Sequence, residues 1–321
     1  MTKSKIIILA ISLVISLRLS AQNISIPDSN FLSELIIKNK VDVNNDGRIS
    51  VLEAKSVKEL RINDGKIYSI KGLDKFSNLE ILMIRIDSLT DLDMTGSLHL
   101  KELYCDGMNL STLVIKNNVA LERLYCNNNN LSAIDVSANQ ALKKLVCSNN
   151  KLKELNLNNN ANLVELICSY NPIEKLELNS KIEKIYCIGT SLKKIDLEKA
   201  LSLKVLNCSE NQLAELNVEK NILLDFLVVD NNQLSDINIS QNHLLKFFSC
   251  SNNQIKKIAF TWNPLLENIN CSNDLLEELD VRNNPKLKIL TCSDNKISSL
   301  DISKNPDIIH LFCSNNKIQE L

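Results

Sequence analysis

Cysteine recurs at a fixed interval along most of this chain. Cys105, Cys126, Cys147 and Cys168 stand 21 residues apart, and so do Cys250, Cys271, Cys292 and Cys313. Cys208 keeps the same register through Val229, which fills the one empty slot, while Cys187 enters the column after 19 residues. All ten cysteines belong to it. A short unit repeated in this way cannot bury its own apolar face, so the units must stack and share a continuous core.

Around each cysteine the spacing is that of Leu121-x-x-Leu124-x-Cys126-x-x-Asn129-x-Leu131. An apolar column precedes the cysteines (Leu103, Leu124, Leu145, Leu166, Ile185, Leu206 and onward). An asparagine column follows them (Asn129, Asn150, Asn171, Asn211, Asn232, Asn253, Asn295, Asn316), interrupted at Met108, Thr190 and Asp274. On these residues the chain resembles the leucine-rich repeat family over residues 58–321. The first repeat, Leu60 to Ile84, has a 22-residue spacing and no cysteine, and is similar to the repeats of bacterial internalin-type surface proteins. The resemblance implies a mainly β fold. It would be a right-handed solenoid with a parallel sheet on its concave face and extended or turn segments on its convex face.

Strand alternation puts Leu124 and Cys126 on the buried side and Tyr125 on the other. The asparagine three places after each cysteine marks the turn off the strand, where its amide can satisfy backbone groups that the turn buries. A second asparagine column (Asn118, Asn139, Asn160, Asn221, Asn242, Asn263, Asn284, Asn305) marks another turn, before proline in three cases. The short repeat lacks two residues near Asn179-Ser180-Lys181. Ten cysteines in an exported chain would ordinarily be read as five bridges. Here each points inward beside its neighbour with parallel Cβ vectors, a poor geometry for a disulfide, so a ladder of free thiols is expected.

The chain opens with Lys3 and Lys5, an apolar run from Ile6 to Leu17, and Ala21 at a cleavage position. This pattern predicts a signal peptide over 1–21, with an N-terminal anchor as the alternative reading. A small helical cap over 22–57 and the repeats over 58–321 follow. Secretion or display at the cell surface is the expectation, without membrane insertion after cleavage. Basic and acidic residues nearly balance, 37 against 38, and are scattered, which argues against a nucleic-acid partner.

Within the cap, Asp42-Val43-Asn44-Asn45-Asp46-Gly47-Arg48-Ile49-Ser50-Val51-Leu52-Glu53 matches a twelve-residue EF-hand loop. Asp42, Asn44 and Asp46 would supply oxygens, Arg48 its carbonyl, Ser50 a contact through water and Glu53 a bidentate carboxylate. The expected cofactor is a structural Ca2+; the alternative is a plain polar turn between two helices. A helix over Phe31–Ile37, capped by Asp28 or Ser29, and another from Val51 to Lys58 would flank it.

Three of the five tyrosines, Tyr104, Tyr125 and Tyr186, stand in the outward column just before the cysteines, and Phe226 and Phe247 lie two places earlier in their strands. Aromatic anchors among mixed charges have the character of a binding patch, so a protein or glycan ligand is expected on the concave sheet. The competing reading is a stiff spacer or adhesin stalk without a specific ligand. His99, His243 and His310 lie near no candidate nucleophile, no phosphate loop is present, and no enzyme is expected.

Overall fold

The computed structural model describes residues 22–319. The expected signal peptide, residues 1–21, and the closing Leu321 lie outside the described residues. The chain divides into two compact units, the first ending at Leu142 and the second beginning at Lys143.

The first unit begins with helix α1, Ser29–Ser33, which continues as one π-helical turn over Glu34–Lys38. Asp28 is the cap: its Oδ1 accepts from the amides of Asn30 and Phe31. Its Oδ2 accepts from Tyr68 and Ser69 at 2.8 and 3.0 Å, so the same carboxylate pins the helix to the first repeat. Burial alone would raise this carboxyl, but the four amide bonds outweigh it and hold the group below its usual range. Helix α2, Val51–Ser56, starts in a reciprocal capping box between Ser50 and Glu53. Strand β1, Glu59–Ile62, follows directly. Asn39 donates to the Arg61 carbonyl and accepts from the Arg61 amide, both at 2.9 Å. It thereby satisfies backbone groups on the free edge of β1 that would otherwise template another strand.

Strands β1, β2 (Ile81–Ile84), β4 (Glu102–Tyr104) and β6 (Arg123–Tyr125) pair in parallel in that order. On the return path, β3 (Asp91–Asp93) and β5 (Thr112–Val114) form a second parallel pair.

In the second unit the parallel order is β7 (Lys144–Val146), β9 (Glu165–Ile167), β11 (Lys184–Tyr186), β12 (Val205–Asn207), β13 (Phe226–Val228), β14 (Phe247–Ser249), β15 (Asn268–Asn270), β16 (Ile289–Thr291) and β17 (His310–Phe312). Return strands β8 (Glu154–Asn156) and β10 (Lys175–Glu177) pair with each other. Other return segments, expected to be extended, carry no strand. The architecture is a mainly β, parallel-sheet solenoid with a small helical region at its start.

Three ladders follow from the 21-residue period. The cysteines are free thiols, nine fully buried and Cys313 partly so. Burial pushes the Cys187 and Cys292 thiols up to about 12, which leaves them unreactive near neutral pH. The first asparagine column forms four-point rungs. At Asn232 the amide nitrogen donates to the carbonyls of Cys208, Val229 and Asp230 at 3.0 to 3.2 Å, and Oδ1 accepts from Leu213 at 3.0 Å. The second column makes sparser rungs: the Asn242 amide nitrogen donates to the Val218 and Asn221 carbonyls at 3.0 and 2.9 Å, while its buried Oδ1 accepts from no group among the described residues.

Asn179 also donates to the carbonyls of Asn160 and Leu163, so it belongs to the second column 19 residues after Asn160. Its partner spacing locates the deletion. Glu177 still pairs with Asn156, 21 residues away, so the two missing residues are the counterparts of the Asn158–Asn159 turn. The strand register beyond it survives because the loss falls between two ladder positions.

Candidate functional site

On the outward face of the first unit, Tyr104 and Tyr125 stand side by side in register on β4 and β6. Their rings stack at 4.6 Å with 13° between planes. The Tyr104 hydroxyl donates to Glu102 at 2.6 Å, and Arg123 pairs with the other oxygen of that carboxylate at 2.5 Å. The bond to Glu102, with some burial, pushes the Tyr104 phenol up to about 12. Both tyrosines are half-buried, because each covers its neighbour. Truncating Tyr125 therefore removes a stacked contact worth about 0.5–1.5 kcal/mol, more than an exposed ring would cost.

Phe226 and Phe247 repeat this arrangement in the second unit, stacked at 4.6 Å and 16° on β13 and β14. Tyr186 stands apart from this pair, between Ile167 and Asn207 on its neighbouring strands. From β12 to β16 the outward side chains are all uncharged: Val205 and Asn207, Phe226 and Val228, Phe247 and Ser249, Asn268 and Asn270, Ile289 and Thr291. The Asp230 carboxylate accepts from the Ser249 hydroxyl at 2.6 Å and from the Ser251 amide at 2.8 Å. Charge sits instead at the strand entries, where signs alternate from repeat to repeat. Glu183 and Lys204 pair at 2.8 Å, and Glu267 and Lys288 at 2.7 Å. Such exposed pairs add little stability, but they keep like charges apart along a 21-residue register.

One apolar surface was not anticipated from the sequence. In the second unit, Leu201, Ile222, Leu223, Leu244 and Trp262 are all exposed, Trp262 by 59%. They lie on successive turns tied together by the second asparagine column, through bonds from Asn221 to the Ala200 carbonyl, Asn242 to Asn221 and Asn263 to Asn242. The Trp262 carbonyl contacts His243 Nδ1 at 2.8 Å. Apolar residues follow this column at Leu201 and Ile222, but nothing in the sequence separates them from the core positions beside them.

The loop from Asp42 to Glu53 is bent as a cation loop must be, with Asn45 and Gly47 at φ of 58° and 78°. Its oxygens face its own amides. Asp42 accepts from Asp46 and Gly47, Asn44 from Asp46, and Asp46 from Arg48. Glu53 Oε1 accepts from Val43 at 2.9 Å and from Asn44 at 3.4 Å, and Oε2 from the Ser50 amide and hydroxyl. Burial would raise the Glu53 carboxyl, but these bonds prevail and hold it below its usual range. Among the described residues no three His, Cys, Asp or Glu side chains converge closely enough to form a metal site. The donors required by the loop are on one turn, but Glu53 would have to leave Val43 and Asn44 to serve as a bidentate ligand.

No protein-family model and no curated protein matches this chain. Solved structures do. The functional domain of InlJ from Listeria monocytogenes, described as including a cysteine ladder, is 28% identical with a TM-score of 0.79, over 92% of this chain and 71% of that one. An internalin, inlF, from the same organism is 21% identical with a TM-score of 0.76, over 92% and 91%. The plant peptide hormone receptor RGFR1, solved with RGF2, is 17% identical with a TM-score of 0.51, over 82% and 56%. The fold is thus internalin-like, a leucine-rich repeat solenoid of ~21-residue units with a cysteine ladder. Among the described residues no helix is long and apolar enough to cross a membrane.

Proposed function

We propose that this is a secreted or cell-surface binding protein that recognises a protein ligand through the outward face of its parallel strands. The stacked Phe226–Phe247 pair on an uncharged strand face carries this reading. Paired rings hold each other in place, so they lose little side-chain freedom when a ligand covers them. The plant peptide hormone receptor solved with RGF2, which is similar in fold, supports this reading. The exposed stripe around Trp262 supports a second reading, with the ligand seated on the turns. Photo-crosslinking from position 247 and from position 262, followed by affinity measurements on the captured protein, separates the two. Phe247→Ala should weaken binding about thirtyfold or more, as loss of a hot-spot aromatic does, while Lys153→Ala on the return side changes nothing. Loss of binding on Trp262→Ala with Phe247→Ala silent would move the site to the turns.

A calcium ion at the Asp42-to-Glu53 loop belongs to the same reading, as a stiffener of the segment that covers the first repeat. It would draw on Asp42, Asn44, Asp46, the Arg48 carbonyl, Ser50 and Glu53. Tenfold saturation is worth only ~1.4 kcal/mol, so millimolar calcium should raise the melting temperature by a few degrees. Glu53→Gln should abolish that increment while keeping the capping box, which glutamine can also close. Calorimetric titration with no heat and unchanged melting would remove calcium from the account.

A further inference from the structure

Asp274 occupies a rung of the first asparagine column, and its Oδ1 does what the asparagines do, accepting from the Ile255 amide at 3.1 Å. Its other oxygen stands where an amide nitrogen stands elsewhere. At Asn253, one repeat earlier, that nitrogen donates to Val229 and Cys250 at 3.0 and 2.7 Å. At Asn295, one repeat later, it donates to Cys271 and Cys292 at 2.8 and 3.2 Å. The corresponding carbonyls at Asp274 are those of Cys250 and Cys271. An ionised carboxylate has no hydrogen to offer them and instead turns a negative oxygen towards their lone pairs. The side chain is buried, with 6% of its surface exposed.

We propose that Asp274 is a proton-operated rung of the ladder. With a hydrogen on Oδ2 it donates to a carbonyl as its asparagine neighbours do. Without one, Oδ2 can only accept, from the Cys250 thiol at 3.8 Å, and the Cys250 and Cys271 carbonyls keep only the donors supplied by Asn253 and Asn295. The titratable groups that act on it are the Cys250 thiol, which donates to Oδ2 at 3.8 Å and weakly favours the anion, the buried Cys271 thiol, and the Asp230 carboxylate, which disfavours the anion.

The direction of the pH effect follows. Burial, with a smaller contribution from Asp230, raises this carboxyl from 3.8 to about 6, against the amide of Ile255 and the Cys250 thiol, which favour the anion. Between those two pH values the folded chain holds a proton that the unfolded chain has released. The stabilisation is complete below the unfolded value and is lost as pH rises through the folded one.

The test compares Asp274→Asn with the unsubstituted full chain by chemical denaturation at pH 7.5 and 4.5. Asparagine donates at every pH, so the variant should be more stable at pH 7.5 by up to about a hundredfold in the unfolding equilibrium constant. That advantage should shrink at least tenfold at pH 4.5, where the native aspartic acid donates too. Comparing the two proteins cancels the pH dependence of carboxyls uncoupled to Asp274, such as Asp106, which both retain. A 13C titration of the Asp274 carboxyl should have its midpoint near 6. An advantage equal at both pH values, no advantage at all, or a midpoint near that of a free carboxyl would each overturn the proposal.

Discussion

Replacing Cys208 with aspartate is expected to destabilise the second unit by about 3–5 kcal/mol at pH 7, whereas Cys208→Val should cost less than ~1.5 kcal/mol. The Cys208 side chain is fully buried, and its thiol donates to the Val228 carbonyl at 3.8 Å, a group that only accepts and so cannot stabilise an anion. Burial raises its thiol well above the usual range, with lesser contributions from Cys187 and Asp230. The next slot in the column holds Val229, also fully buried, so the site accepts a branched aliphatic of similar volume. Urea denaturation of the two variants beside the unsubstituted chain provides the measurement. An aspartate variant as stable as the valine variant would mean the ladder is wet. Alkylation gives an independent check: the buried thiols should resist the reagent in the folded protein, and all ten should react in denaturant without a reductant.

Much of this arrangement is legible in the sequence, because a 21-residue period converts sequence columns into spatial columns. Leu124 and Cys126 fall inside and Tyr125 outside once strand alternation is applied. The period also implies that Tyr104 and Tyr125 are adjacent, but not that each ring would half-bury the other. Two features were hidden for a different reason. Asn179 escapes the second asparagine column when residues are counted forward by 21, because the deletion removes a turn immediately before it. The stripe from Leu201 to Trp262 escapes because exposed apolar residues on a turn look like the core residues that flank them; only burial separates the two. The loop from Asp42 to Glu53 marks another limit. A motif specifies which oxygens are available, while the backbone amides of the same turn compete for them.

The paired asparagines after each strand show how one residue type performs two physical jobs at adjacent positions. Asn231 is exposed and sits in the left-handed region at φ 54°, a conformation shared by the equivalent residue in every cysteine-containing repeat. Asparagine tolerates it better than alanine, so Asn231→Ala should cost about 1–2 kcal/mol and Asn231→Gly very little. Tyr170 and Glu210 adopt the same φ without that tolerance, both at 55°, and are the strained members of this set. Gly189 holds the corresponding place in its repeat because an added Cβ would come within 2.7 Å of the Tyr170 ring. Asn232 is buried, and its role is hydrogen bonding. Asn232→Ala should cost about 2–4 kcal/mol: it leaves the Leu213 amide, bonded to Oδ1 at 3.0 Å, without a partner, and opens a cavity. The Cys208 and Val229 carbonyls are less affected, since Asn211 and Asn253 still donate to them at 3.1 and 3.0 Å. Glycine at 232 should be no better than alanine, because conformation is not what the site needs. Denaturation of the four variants decides the matter. If glycine rescues position 232 as it does position 231, the buried asparagine is a turn former and the hydrogen-bonded ladder contributes little to stability.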